Sequence, residues 1–232
     1  MRISEAQLSL FQQCPQRLEY ALKAGTTSLL GDLWGPIEQA TTWLWAQEIR
    51  TGDKPSLKAA KHKWGQAVTS WGVTSGLKTV EIRDFITKHL GAFLDYWSWF
   101  HGSPFEPVTV AAVRKLHLGK HTLEVTPQVI VLDEKKIVVL NTSADNSNHD
   151  TVTNYVYRAR LLSVAELVKE PVTMLNFRFN GRLELLAMHS NQLCTKQFKK
   201  NLSWQLRSIA AGVSMPIHNC RIQCPFKEIC FV

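Results

Sequence analysis

The chain predicts a mixed α and β fold in which helices surround a central sheet. Three observations carry this. Apolar residues recur at helical spacing from Ser4 to Phe100, and β-branched runs bounded by turn residues follow from Pro107. Helical patterning then returns, interrupted by one hairpin, before a cysteine-rich tail.

The elements follow in order. In SEAQLSLFQQCPQRLEYALKAG, Leu8, Phe11, Leu18 and Leu22 share a helical stripe, with Ser4 as N-cap and Gly25 as stop. Pro15 lacks an amide hydrogen, so it kinks or restarts this helix after Cys14. Further helices are predicted over Pro36 to Arg50, Leu57 to Trp71 and Val80 to Phe100. Their tryptophans, 43, 45, 64, 71, 97 and 99, fall mostly at helical spacing and read as packing or a protein interface. VTVAAVRKLHL, HTLEVTPQVIVLD and KIVVLNTSA then predict a three-stranded antiparallel meander turning at LGKH and LDEKK. A helix from Thr153 to Glu170 comes next, followed by strands VTMLNFRF and RLELLAMHS joined by Asn180-Gly181, and a last helix from Thr195 to Gly212. Asn141 to Asp150 is polar and reads as a loop.

A length of 232 residues suits one unit, mainly helical over 1–106, sheet core over 107–193, and a terminal helix with a cysteine loop over 194–232. Hydrophobic residues at 45% and charged residues at 20% argue against a disordered chain. No apolar run reaches the length of a membrane span and the first residues lack a signal-peptide pattern, so a cytoplasmic location with reduced thiols and no membrane partner is expected. The formal charge of +8 attracts polyanions, and DNA is the first partner it points to.

Cys220, Cys224 and Cys230 stand as C-x3-C-x5-C around Pro225. Three soft thiolates so close can hold one soft metal centre, and both a tetrahedral zinc and a cubane iron–sulfur cluster want a fourth ligand. Cys14 supplies it; closing so long a loop costs entropy that grows only logarithmically with length. Zinc, with His218 as another ligand, and simple buried thiols are the alternatives, while Cys194 reads as a lone core or surface thiol.

LSLFQQCPQRLEYAL and CRIQCPFKEIC together resemble the two ends of the RecB-like nucleases that carry an iron–sulfur cluster, a family that includes the exonucleases of CRISPR adaptation. The resemblance implies a restriction-endonuclease-like central sheet flanked by helices. It also implies a 4Fe-4S cluster on Cys14, Cys220, Cys224 and Cys230 that joins the chain ends. It further implies a PD-(D/E)XK site, because phosphodiester hydrolysis through a divalent cation needs carboxylates on the metal and a lysine near the attacking water. Matched to the family's motif, this chain has Gly35 or Gln39 at the histidine, Pro127 at the glycine, Ile130 at the aspartate, Leu140 at the acid and Thr142 at the lysine. Of the motif on the following helix it keeps Tyr157 alone. Aliphatic side chains cannot ligate a hard cation, so no catalytic residue is assigned and the chain reads as a degenerate nuclease. Glu124, Asp133, Glu134 and Lys135 are the acids and lysine that a displaced active site would recruit.

Phosphate contacts are separable from a metal site. Lys196, Lys199, Lys200 and Arg207 accompany Trp204 on the last helix, and Arg158 and Arg160 lie on the helix after the meander. These are the candidate nucleic-acid-binding residues, since cations grip a backbone and an aromatic ring stacks a base. Three functions follow: an inactive DNA-binding or structural subunit of a larger DNA-processing, CRISPR or mobile-element assembly with other protein subunits; an active exonuclease with displaced ligands; or a protein scaffold that does not touch DNA.

Overall fold

The structure, a computed structural model, describes residues 1–23, 35–144, 155–179, 181–193 and 195–213. A short strand, β1 (Arg2–Ser4), leads into α1 (Glu5–Gln13) and α2 (Pro15–Lys23). Ser4 and Gln7 form a reciprocal capping box: the Gln7 amide donates to Ser4 Oγ at 3.2 Å and the Ser4 amide to Gln7 Oε1 at 2.8 Å. The helix breaks at Cys14 and restarts at Pro15, where the missing amide hydrogen costs nothing. The expected stop at Gly25 lies outside the described residues.

Three helices follow close to their expected bounds: α3 (Pro36–Thr51), α4 (Leu57–Thr74) and α5 (Thr79–Gly102). The meander is more broken than its sequence suggests. VTVAAVRKLHL divides into β2 (Glu106–Val110) and β3 (Arg114–Leu118), and HTLEVTPQVIVLD into β4 (His121–Val125) and β5 (Val129–Asp133). Ala111, at φ 51°, turns the first ribbon out of line, and Pro127 interrupts the second opposite it. β3 and β4 pair with β1 in a three-stranded sheet, whereas β2 and β5 enter a five-stranded sheet ordered β2-β5-β6-β7-β8.

In that larger sheet β6 (Lys136–Ala144) runs antiparallel to β5 and parallel to β7 (Thr173–Phe179), the two joined through α6 (Tyr155–Val168). Asn141 to Ala144, expected in a loop, therefore extend β6, and the rest of that expected loop, 145–150, lies outside the described residues. The β7–β8 hairpin ends in β8 (Leu183–His189), followed by a single turn, α7 (Ser190–Leu193), and by α8 (Lys196–Ala210), capped by the Thr195 hydroxyl.

Helices α3, α4 and α5 cover one face of the large sheet. Trp45, Trp64, Phe93, Tyr96 and Phe100 pack there against Val129, Val131, Leu140 and Phe177. The Trp45 indole donates to the Tyr96 hydroxyl at 2.9 Å, so these rings are locked by polarity as well as by shape. Helix α6 covers the other face with Leu161 and Val164 against Ile130, Val139 and Met174. It also turns Val156, Ala159 and Leu162 toward the small sheet, into the same core that α1, α2 and α8 close with Leu8, Phe11, Leu18 and Leu202. The architecture is thus α+β, mixed as the sequence predicts. Among the described residues no helix is long and apolar enough to cross a membrane.

Candidate functional site

The positions matched to the nuclease motif, Ile130, Leu140 and Thr142, lie where β6 outruns β5. The β5–β6 ladder ends at Val129 opposite Leu140, while β6 stays paired to β7 as far as Ala144. One edge of β6 beyond Leu140 needs hydrogen-bond partners, because buried backbone amides are costly to leave bare. Gln128, 1% exposed, fills this place. Its Oε1 accepts from the Thr142 backbone amide at 2.6 Å, and its Nε2 donates to Thr142 Oγ1 and Thr41 Oγ1, both at 2.8 Å. The side-chain amide takes over where the strand stops.

Ile130 and Leu140 face opposite sides of the sheet: Ile130 packs under α6, and Leu140 packs with Val129 under α3 to α5. They cannot line one metal site, which corrects the pairing read from the sequence. The strand alternation puts Val129, not Ile130, beside Leu140 and Thr142. Both arrangements leave the positions matched to the motif without a carboxylate. Asp133 and Glu134 lie at the far end of the β5–β6 hairpin, and Glu124 belongs to the small sheet, so the displaced set is not brought together. Among the described residues no group of three or more His, Cys, Asp or Glu side chains is placed to hold a metal ion.

On the α6 side sits a buried ion pair. Arg160, 4% exposed, donates from Nη2 to Glu5 Oε1 at 2.7 Å and from Nε to Glu5 Oε2 at 3.1 Å. Its Nη1 donates to Asn141 Oδ1 at 2.7 Å, and Asn141 Nδ2 donates in turn to Asn176 Oδ1 at 2.7 Å. Burial opposes the charge of Arg160, but Glu5 outweighs it and keeps the guanidinium above its ordinary pKa. Arg160 is therefore committed inside the protein and not presented to a phosphate, a correction to its place among the nucleic-acid candidates. Tyr157 joins the same network: burial pushes its hydroxyl pKa up, against hydrogen bonds with Asn141 and Ser143.

Glu38, in the first turn of α3, is the remaining acid here. Its Oε2 is buried with no hydrogen-bond partner among the described residues. Burial pushes its carboxyl from an ordinary 4.5 up to about 7, against backbone N–H groups and the charge of Arg160. The unfolded chain ionises first, so Glu38 costs no stability below about 4.5, an increasing amount up to about 7, and a constant amount above. Chemical denaturation of Glu38→Gln against wild type should show the variant gaining its advantage across that interval. A gap that does not change with pH would refute the burial of this carboxyl.

A second candidate lies at the chain ends. Cys14 is 4% exposed and carries a free thiol. It sits in extended conformation at the break between α1 and α2, its amide donating to the Leu10 carbonyl at 2.8 Å. Helix α8 reaches this place: Gln12 donates to Gln205 at 2.9 Å, and a cavity of about 120 Å³ is lined by Pro15 and Leu18 from α2 and by Ile209 and Val213 from the end of α8. A buried soft donor thus stands beside the exit of the tail. Cys220, Cys224 and Cys230, like Cys194 and His218, lie outside the described residues.

The other basic candidates separate into two groups. Arg158 stacks 4.2 Å from the Phe198 ring, and Lys199 pairs with Glu166 at 2.8 Å, so both help fasten α8 to α6. Lys196, Lys200, Trp204 and Arg207 are exposed on the outer side of α8. Sequence reasoning missed Glu5, Glu38, Thr41, Gln128 and Asn176. The available signal was Asn141 and Asn176 inside otherwise apolar strands, since a polar side chain in a buried strand needs a partner.

No protein-family model matches the chain, and none of the curated proteins matches it. Among solved structures, one described as "Crystal structure of SSO0001" is similar over 99% of this chain and 85% of that chain, at 14% identity and a TM-score of 0.46.

Proposed function

We propose that this chain is a catalytically inactive relative of the RecB-like iron–sulfur nucleases, acting in the cytoplasm as a DNA-binding or structural subunit of a larger DNA-processing, CRISPR or mobile-element assembly. One observation carries the loss of catalysis. Where the nuclease chemistry needs carboxylates and a lysine, Val129, Leu140, Thr142 and Gln128 form a closed apolar and neutral hydrogen-bonded surface. The nearby acids do not replace them: Glu5 is paired with Arg160, and Glu38 is a single carboxyl that burial pushes up to about 7, so among the described residues a hard divalent cation finds no set of carboxylates.

The outer side of α8 supports DNA binding, because it exposes Lys196, Lys200 and Arg207 together with Trp204. Cys14, Cys220, Cys224 and Cys230 would hold a 4Fe-4S cluster, with zinc as the alternative. Bound there, the group supplies thiolate bonds that crosslink the chain ends. The buried thiol of Cys14 and the arrival of α8 beside α2 fit this role. The chain's own contribution is to hold Cys14 at a helix break, where its backbone amide is tied to the Leu10 carbonyl and its thiol is buried.

Anaerobically purified protein incubated with end-labelled DNA, with and without manganese, tests the reading in one gel. Retardation that weakens with salt, without cleavage, is expected. Cleavage abolished by chelator would restore the nuclease, and the absence of both would leave the protein scaffold.

A further inference from the structure

We propose that the outer face of α8 binds single-stranded DNA, with backbone phosphates on Lys196, Lys200 and Arg207 and one base stacked on Trp204. This rests on the DNA-binding reading above and names the form of DNA and the surface that takes it.

Helix α8 is two-sided. Phe198, Leu202, Leu206 and Ile209 are buried against the small sheet and α6. At 100° per residue, Lys196, Lys200, Trp204 and Arg207 fall within an arc of about 80° on the other side, at steps of about 4.5 to 6 Å along the axis. The helix sequence KQFKKNLSWQLRSIA contains no acid, so nothing on its own outer face neutralises this row.

Trp204 decides against a merely solvated face. It is 58% exposed, whereas Trp45 and Trp64 are at 0% and 1%. Trp43, Trp97 and Trp99 pack against the core between α3 to α5 and the large sheet, and Trp71 lies 4.9 Å from the Phe85 ring. Trp204 is the one tryptophan among the described residues left mostly in water, and it stands between cations. Tryptophan and arginine occur often in protein interfaces, but lysine is depleted there, so it is the lysines flanking Trp204 that favour a polyanion. A polyanion with flat apolar rings matches both features. In a duplex the base faces are already stacked on their neighbours, so the indole can be covered only by an unpaired base.

Fluorescence anisotropy with labelled oligothymidine and with a duplex of equal length, over a range of salt, tests this on the full chain. The single strand should bind more tightly. Trp204→Ala should weaken it by about tenfold to a hundredfold, and Trp204→Phe should keep most of the affinity. Replacing Lys196, Lys200 and Arg207 together by Gln should flatten the dependence of log affinity on log salt by about 2, from about 0.7 for each lost phosphate contact. All four side chains are exposed, so unchanged thermal melting certifies the fold. Equal binding of both forms, untouched by Trp204→Ala, would overturn this site while leaving DNA binding intact elsewhere. Absence of any DNA binding would overturn the broader reading and this one with it.

Discussion

Arg160→Ala should cost about 3–5 kcal/mol of folding stability, the scale for removing one partner of a buried ion pair. The substitution strands Glu5, which is 5% exposed and is held by Arg160 through two hydrogen bonds. It also leaves Asn141 Oδ1 without its donor, and through Asn141 loosens Asn176. Glu5 further accepts from the Thr126 amide at 3.0 Å, so the link between α1 and the bend from β4 into β5 weakens too. Denaturant unfolding gives the measurement. Replacing Glu5 and Arg160 together by Gln and Met should recover much of the loss, since no uncompensated charge then stays buried. A single-variant cost below about 1 kcal/mol would mean the pair is solvated and this part of the fold is more open.

Cys14→Ala is the second substitution with a large expected effect. If Cys14 merely fills space, the change removes one buried sulfur and should cost about 1 kcal/mol, comparable to deleting a methyl-sized group. If it closes a metal-bound clasp, the protein should lose its bound iron and brown colour. The loss of stability should then be several-fold larger, because metal–thiolate binding energy becomes folding energy when the site does not exist in the unfolded chain. Anaerobic purification, metal analysis and a thermal melt on the same preparation separate the two. Colourless wild-type protein holding one zinc would replace the cluster by zinc, and metal-free protein with a small stability cost would reduce Cys14 to packing.

Local signals were legible because they involve near neighbours in the chain. Ser4 three residues before Gln7, Pro15 after Cys14, and Thr195 before Phe198 each announce a helix end through contacts within one turn. The aromatic stripe of α5 announces a buried face in the same way. The broken meander was less legible, since the departure of β3 and β4 into a second sheet depends on β1, a three-residue strand too short to show a pattern.

By itself, then, the sequence determined the main succession of helices and strands, the α+β class, the absence of acids at the matched positions of β5 and β6, and a basic last helix. Only the tertiary structure decided which charges are spent and which are offered. Arg160 and Glu5 are 155 residues apart, and nothing in either neighbourhood says that they meet. Lys199 and Lys200 are adjacent, yet Lys199 pairs with Glu166 and Lys200 faces solvent. Side-chain periodicity is a property of one segment, whereas the partner of a buried polar group is chosen by how segments pack, so the first can be read along the chain and the second cannot.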